Sequence, residues 1–215
     1  MEKKTLFEVF KSKQEAKIML EEIESPLPNP LGLKFTSLVD IKAADYYDMS
    51  FKLTAIEEYT RNVDGEVFTF TDYRLEGRTD PLNASVYIPV KLRCMDEDVL
   101  VLYSYESMAY SDDLNYILND TERTGKFEIT EDDGTVLAYV RVNGLKNHWD
   151  ASVKKLIDAD HDGKITKSDP VTESRIKYWD FQNGSDFLFV EMDKSTGWIN
   201  MWRGGFVDPQ AVIII

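Results

Sequence analysis

Residues 158–169 read Asp-Ala-Asp-His-Asp-Gly-Lys-Ile-Thr-Lys-Ser-Asp. Asp158, Asp160 and Asp162 stand on alternate positions, and Thr166 and Asp169 add oxygens at wider intervals. Alternate residues of a tight loop turn their side chains the same way, so three carboxylates converge. Converging carboxylates repel one another unless a cation sits among them. Calcium is a hard ion that takes six to eight oxygens at about 2.3–2.6 Å and accepts irregular geometry. The chemistry this spacing points to is therefore one calcium site, with magnesium as the second choice because it keeps waters where carboxylates are short. The side chains that this spacing brings together are Asp158, Asp160 and Asp162.

These twelve residues resemble the calcium loop of the EF-hand family. The resemblance implies Asp158, Asp160, Asp162, the Lys164 carbonyl, Thr166 and Asp169 as ligands, Gly163 at the sharp turn, Ile165 as the apolar anchor to a core, and a helix on either side of the loop. Asp169 departs from the sensor pattern, which has a bidentate glutamate there. Aspartate at that place is dockerin-like, but dockerins carry two loops and are secreted, so their function is not carried over. The shorter Asp169 side chain predicts modest affinity. EF-hand loops work as sensors in pairs, and no partner loop is found. Thr130-Glu131-Asp132-Asp133-Gly134 and Asn62-Val63-Asp64-Gly65 have acid and glycine without the spacing, and both read as hairpin turns. A lone loop predicts a structural ion rather than a switch.

Other constellations carry less. Cys94 is the single cysteine, which removes disulfides and thiolate zinc clusters. The two histidines are His161, inside the loop, and His148, read as a surface residue. No G-x-S-x-G elbow and no phosphate-binding G-x-x-x-x-G-K-[ST] loop occurs. Tyr103, Tyr105, Tyr110 and Tyr116 are candidates for a ligand face, although core and rim positions suit them better.

Elements must position these residues. Ser12 and Glu15 form a capping box ahead of Ala16, Met19, Leu20 and Ile23, which predicts an N-terminal helix. Pro26, Pro28 and Pro30 end it in a stiff connector. From residue 31 the texture is that of strands. Phe51, Leu53, Ala55 and Tyr59 alternate, as do Val86, Ile88, Val90 and Leu92, and three glycine-containing turns mark hairpins. Pro89 marks an edge strand or bulge. A short helix is expected over residues 112–118. Around the loop the period reads as helical: Trp149, Val153 and Leu156 or Ile157 before it, and Val171, Arg175 and Tyr178 or Trp179 after Asp169-Pro170. The expected class is therefore α+β, mainly antiparallel β and barrel- or sandwich-like. The expected domains are residues 1–30, an N-terminal helix and proline-rich connector, and residues 31–215, a β domain with a helix–loop–helix insertion at 147–179. The run Gly65–Leu75, with Tyr178-Trp179-Asp180 and Phe189-Val190-Glu191, is similar to small bacterial β-rich domains without an assigned activity, which implies a barrel-like fold and no catalytic residue.

Charge bounds the partners. The chain has 25 Lys and Arg against 39 Asp and Glu, a net of −14 over 215 residues. Such a field repels nucleic acid and anionic membranes and draws in cations. No stretch of about 18 apolar residues is present. The first residues lack a secretory pattern, so a cytoplasmic location is expected. The function expected from the sequence is an acidic β-rich domain holding one structural calcium ion, more a binding or structural protein than an enzyme. The rivals are a hydrolase with hidden carboxylate catalysts and a carbohydrate- or protein-binding module braced by calcium.

Overall fold

The structure is a computed structural model, and it describes residues 4–5, 25–42, 50–63, 65–78, 87–95, 98–119, 126–142 and 148–215. In chain order the strands are β1 (Lys4–Thr5), β2 (Leu38–Ile41), β3 (Ser50–Val63), β4 (Glu66–Arg78), β5 (Tyr87–Met95) and β6 (Asp98–Ala109). A helix, α1 (Asp112–Asn119), follows. The chain then forms β7 (Lys126–Thr130), β8 (Val136–Arg141), β9 (Trp149–Ile157), β10 (Val171–Asn183), β11 (Asp186–Asp193), β12 (Trp198–Phe206) and β13 (Val212–Ile214).

Eight strands close into an antiparallel barrel in the order β3-β4-β5-β6-β12-β11-β10-β9. The closing seam is β9 against β3, with Tyr59 opposite Val153. Strands β2, β13 and β1 extend from β3, and β8 and β7 branch from β10. The α+β expectation gives way to a nearly all-β chain. The inserted helix–loop–helix at 147–179 is two paired strands, β9 and β10, joined by the acidic loop. Helix α1 is the single α-helix among the described residues, at the expected place. The expected N-terminal helix falls on residues 12–24, outside the described residues, and the Pro26–Pro30 connector packs Leu27 and Leu31 into a core. No helix among the described residues is long and apolar enough to cross a membrane.

The period was misread at β9 because an i, i+4 spacing is even and satisfies a strand as well as a helix. Trp149 and Val153 share a face, but Ala151 between them is buried with them, which only a strand allows. In β10 both faces are covered from Tyr178 to Phe181, so the alternation vanishes.

Partners across an antiparallel ladder project to the same side, so the register sorts residues inside from outside. Outside β3–β6 lies one apolar core, with Phe51, Leu53, Tyr73, Leu75, Val90 and Leu92 under the 27–35 segment. Outside β10–β12 lies a second, with Trp179, Phe181, Val190 and Met201 under α1, β7 and β8. The lumen holds Tyr59, Leu100, Leu102, Trp149, Tyr178, Phe189 and Trp202. A bulge between Leu53 and Ala55 hands β3 from one core to another: Phe51 and Leu53 point outward, Ala55, Glu57 and Tyr59 inward. The apparent single face of Phe51, Leu53, Ala55 and Tyr59 is thus split. Gly77 is required beside this bend, since a Cβ there would lie 2.6 Å from the Phe51 ring.

Candidate metal loop and the charged lumen

The acidic loop joins the end of β9 to the start of β10, at one end of the barrel. Asp158, Asp160 and Asp162 each offer an oxygen, all within 4.8 Å of one another. Short side-chain-to-backbone bonds shape the loop. Gly163 N–H donates to Asp158 Oδ2 at 3.2 Å, Asp162 N–H to Asp160 Oδ1 at 3.3 Å and Lys164 N–H to Asp162 Oδ1 at 2.7 Å. Gly163 has φ 75°, and a Cβ there would meet Thr36 Cγ2 at 2.6 Å, so glycine is required twice over. His161 also has φ 61° and is exposed, as its place in the loop predicts. Ile165 packs against the outer core, which fits its expected role as the anchor.

Of the remaining expected ligands, Thr166 and Asp169 bond to each other. Asp169 Oδ2 accepts from Thr166 N–H at 2.6 Å, and Thr166 Oγ1 lies 2.9 Å from Ser168 Oγ. These bonds fix the C-terminal part of the loop. Lys164 Nζ is 3.8 Å from Asp162 Oδ2 and exposed. Asp158 Oδ1 is buried and has no hydrogen-bond partner. A buried carboxylate oxygen without a partner costs free energy, and a cation would satisfy it. The donor set is all oxygen, which suits calcium or magnesium and not a soft metal.

A second charged cluster escaped the sequence reading. Inside the barrel Arg93 donates to Asp72 through Nε and Nη2, both at 2.8 Å, and through Nη1 to the Tyr178 hydroxyl. Its guanidinium lies between Phe70 and Phe189, at 4.3 and 4.4 Å from their ring centres. Lys91 Nζ donates to Glu191 at 2.9 and 3.0 Å and to the Tyr59 hydroxyl at 2.6 Å, over the Trp202 ring at 4.5 Å. Trp202 Nε1 donates to Glu191, and Tyr59 donates to Glu57. Lys91 and Arg93 are fully buried. Burial alone would raise the Glu57 carboxyl, but Lys91, Arg74 and Lys155 and the Tyr59 hydroxyl outweigh it and hold the group down to about 2. Burial pushes the Tyr59 and Tyr178 hydroxyls well up.

Asp180 differs from the other lumenal acids. Its Oδ2 accepts from Arg61 Nη1 at 2.9 Å, while Oδ1 is buried and reaches no partner. Burial raises this carboxyl even though Arg61, Arg93 and the Tyr178 hydroxyl pull it down. The sequence held one usable signal for this interior. Lys91 and Arg93 alternate with Val90, Leu92 and Cys94, a half-polar strand, but the polar half is the inside. His148 precedes β9, partly exposed, with its ring 5.7 Å from Trp179; burial and then Lys177 lower its pKa. Of the four tyrosines, Tyr103 packs on one outer core and Tyr110 on the other, while Tyr105 and Tyr116 are exposed.

No protein-family model, no curated protein and no solved structure matches this chain.

Proposed function

We propose that this protein is a β-barrel binding or structural protein whose β9–β10 loop holds one calcium ion as a brace. The observation that carries the reading is the trio Asp158, Asp160 and Asp162 within 4.8 Å, with Asp158 Oδ1 buried and unpartnered at its base. The ion supplies the charge that the trio lacks. Thr166, the Lys164 carbonyl and Asp169 complete the shell once Asp169 releases the Thr166 amide. The loop joins two barrel strands that are paired over eight positions, so an ion there stiffens a hairpin and has no helix pair to open. Calorimetric titration of chelator-treated protein tests this. One site per chain is expected, with a dissociation constant of about 10⁻⁵ to 10⁻³ M because no bidentate glutamate is present. Equal binding by the Asp158→Ala variant sinks the reading.

A further inference from the structure

The barrel end away from the acidic loop presents a second feature. There β8 takes over from β9 as the neighbour of β10: Val140 lies opposite Gln182, Gln182 opposite Phe187, and Phe187 opposite Gly204. Val142 N–H donates to the Asp180 carbonyl one step further in. The ladder therefore puts Val140 on the same face as Gln182 and Phe187, and that face is the continuation of the lumen. Val140 and Val142 are exposed at 49% and 53%. Phe206 is exposed at 53% and meets Phe187 edge-on at 5.3 Å. Across the opening, Phe68 is exposed at 43% and lies opposite Arg61.

Below this rim the lumen is filled. Phe68 and Phe187 each stand two residues outward from Phe70 and Phe189, the pair that encloses Arg93, so that sandwich is the floor. Arg61 forms part of the wall. Its guanidinium is 5.9 Å from the Phe68 ring centre and 5.5 Å from the Trp149 ring, and Asp180 holds it through Nη1. The Arg61 side chain retains 22% exposure. Among the described residues, the ion pairs of the lumen join five cations (Arg61, Arg74, Lys91, Arg93, Lys155) to four carboxylates (Glu57, Asp72, Asp180, Glu191), in a chain of net −14. An apolar rim over a cation held in place by its own carboxylate recognises a molecule that is apolar at one end and anionic at the other.

We propose that this mouth binds one small amphiphilic anion, with its apolar body against Val140, Val142, Phe68, Phe187 and Phe206 and its acidic head on Arg61. The site is independent of the cation loop at the other end.

The test uses 1-anilinonaphthalene-8-sulfonate, which joins a flat apolar body to an anionic head, and its uncharged relative N-phenyl-1-naphthylamine. Fluorescence titration is expected to give one saturable site per chain for the sulfonate, with a dissociation constant on the order of 10 µM. Dodecanoate is expected to displace it. Val140→Asp and Phe206→Asp change exposed side chains, and each is expected to weaken binding at least about tenfold. Tyr116→Asp, the same change on exposed α1, is expected to leave it as in the parent. Arg61→Gln is expected to weaken the sulfonate and spare the uncharged dye. The same results are expected with calcium and with chelator, so a failure of the metal loop does not disturb them. Emission that rises without saturation, or Val140→Asp and Phe206→Asp variants that bind like the parent, would overturn the site. Equal weakening of both dyes by Arg61→Gln would overturn the acidic head.

Discussion

The barrel interior and the β9–β10 loop both gather carboxylates, and they treat them in opposite ways. Inside, Asp72 meets Arg93 through two bonds, and Glu191 meets Lys91 and Trp202. The loop brings Asp158, Asp160 and Asp162 together with only backbone N–H groups and the distant Lys164 for company. The first cluster is closed on itself. The second is open: among the described residues no buried cation pairs with it, and under the proposed reading its counter-charge comes from solution. The difference shows that clustered acid alone says little. What separates structure from site is whether the protein supplies the counter-charge.

That contrast can be tested at several points, the largest effect first. Asp72→Ala leaves Arg93 charged and buried, which costs about 3–5 kcal/mol. At about 2–4 °C per kcal/mol, the melting temperature is expected to fall by roughly 6–20 °C. The double change Asp72→Leu with Arg93→Met is expected to recover most of this loss, because it removes both charges. A double variant as unstable as the single one would show that the cluster does more than balance itself.

Acid is the next lever. The Glu57 carboxyl sits at about 2 in the fold against 4.5 when free, so its contribution is complete above pH 4.5 and lost as pH falls toward 2. The loss is on the order of 3 kcal/mol. Urea unfolding at pH 6 and pH 3 is expected to show about 2 kcal/mol of it, and Glu57→Gln is expected to flatten that part of the profile.

The proposed metal loop gives the next test. Calcium at 100 times its dissociation constant adds about 2.7 kcal/mol, so chelation is expected to lower the melting temperature by roughly 5–11 °C. Far-ultraviolet circular dichroism is expected to stay the same. The Asp158→Ala protein is expected to melt at one temperature with and without calcium. Asp169→Glu, which restores a second oxygen, is expected to tighten calcium up to about tenfold in the calorimeter. The smallest expected effect is none: the net charge of −14 predicts no gel shift with DNA at physiological salt.

The sequence made the loop legible to single residues, because Asp-x-Asp-x-Asp-Gly constrains backbone and charge together. It also marked the hairpins at Gly65, Gly134 and Gly197, each with positive φ in the structure, and helix α1. The flanks of the loop were misread because Trp149 and Val153 satisfy two periods at once. The lumen was illegible for a different reason. A strand in which Lys91 and Arg93 alternate with Val90 and Leu92 is ordinarily wet on its charged side. Here the apolar side is the outer one, covered by the 27–35 segment, and the charged side faces the interior. Nothing in one strand tells which side closes. Only the β3–β9 seam decides it, and Glu57 and Lys155 sit on opposite sides of that seam.

The seam also governs how the chain reaches its shape in time. Strands β3 to β6 are hairpin neighbours that can pair as they leave the ribosome, whereas β3 finds β9 only after the chain has run on to residue 157. Such a long-range closure is a late and slow step. Until then the four-stranded ribbon stands open with two bare edges, the condition that invites chains to stack on one another. Its concave face carries Glu57, Asp72, Arg74, Lys91 and Arg93, which remain hydrated and are costly to strip of water against a second copy. The charges that balance one another in the finished barrel thus serve the unfinished one as gatekeepers against aggregation.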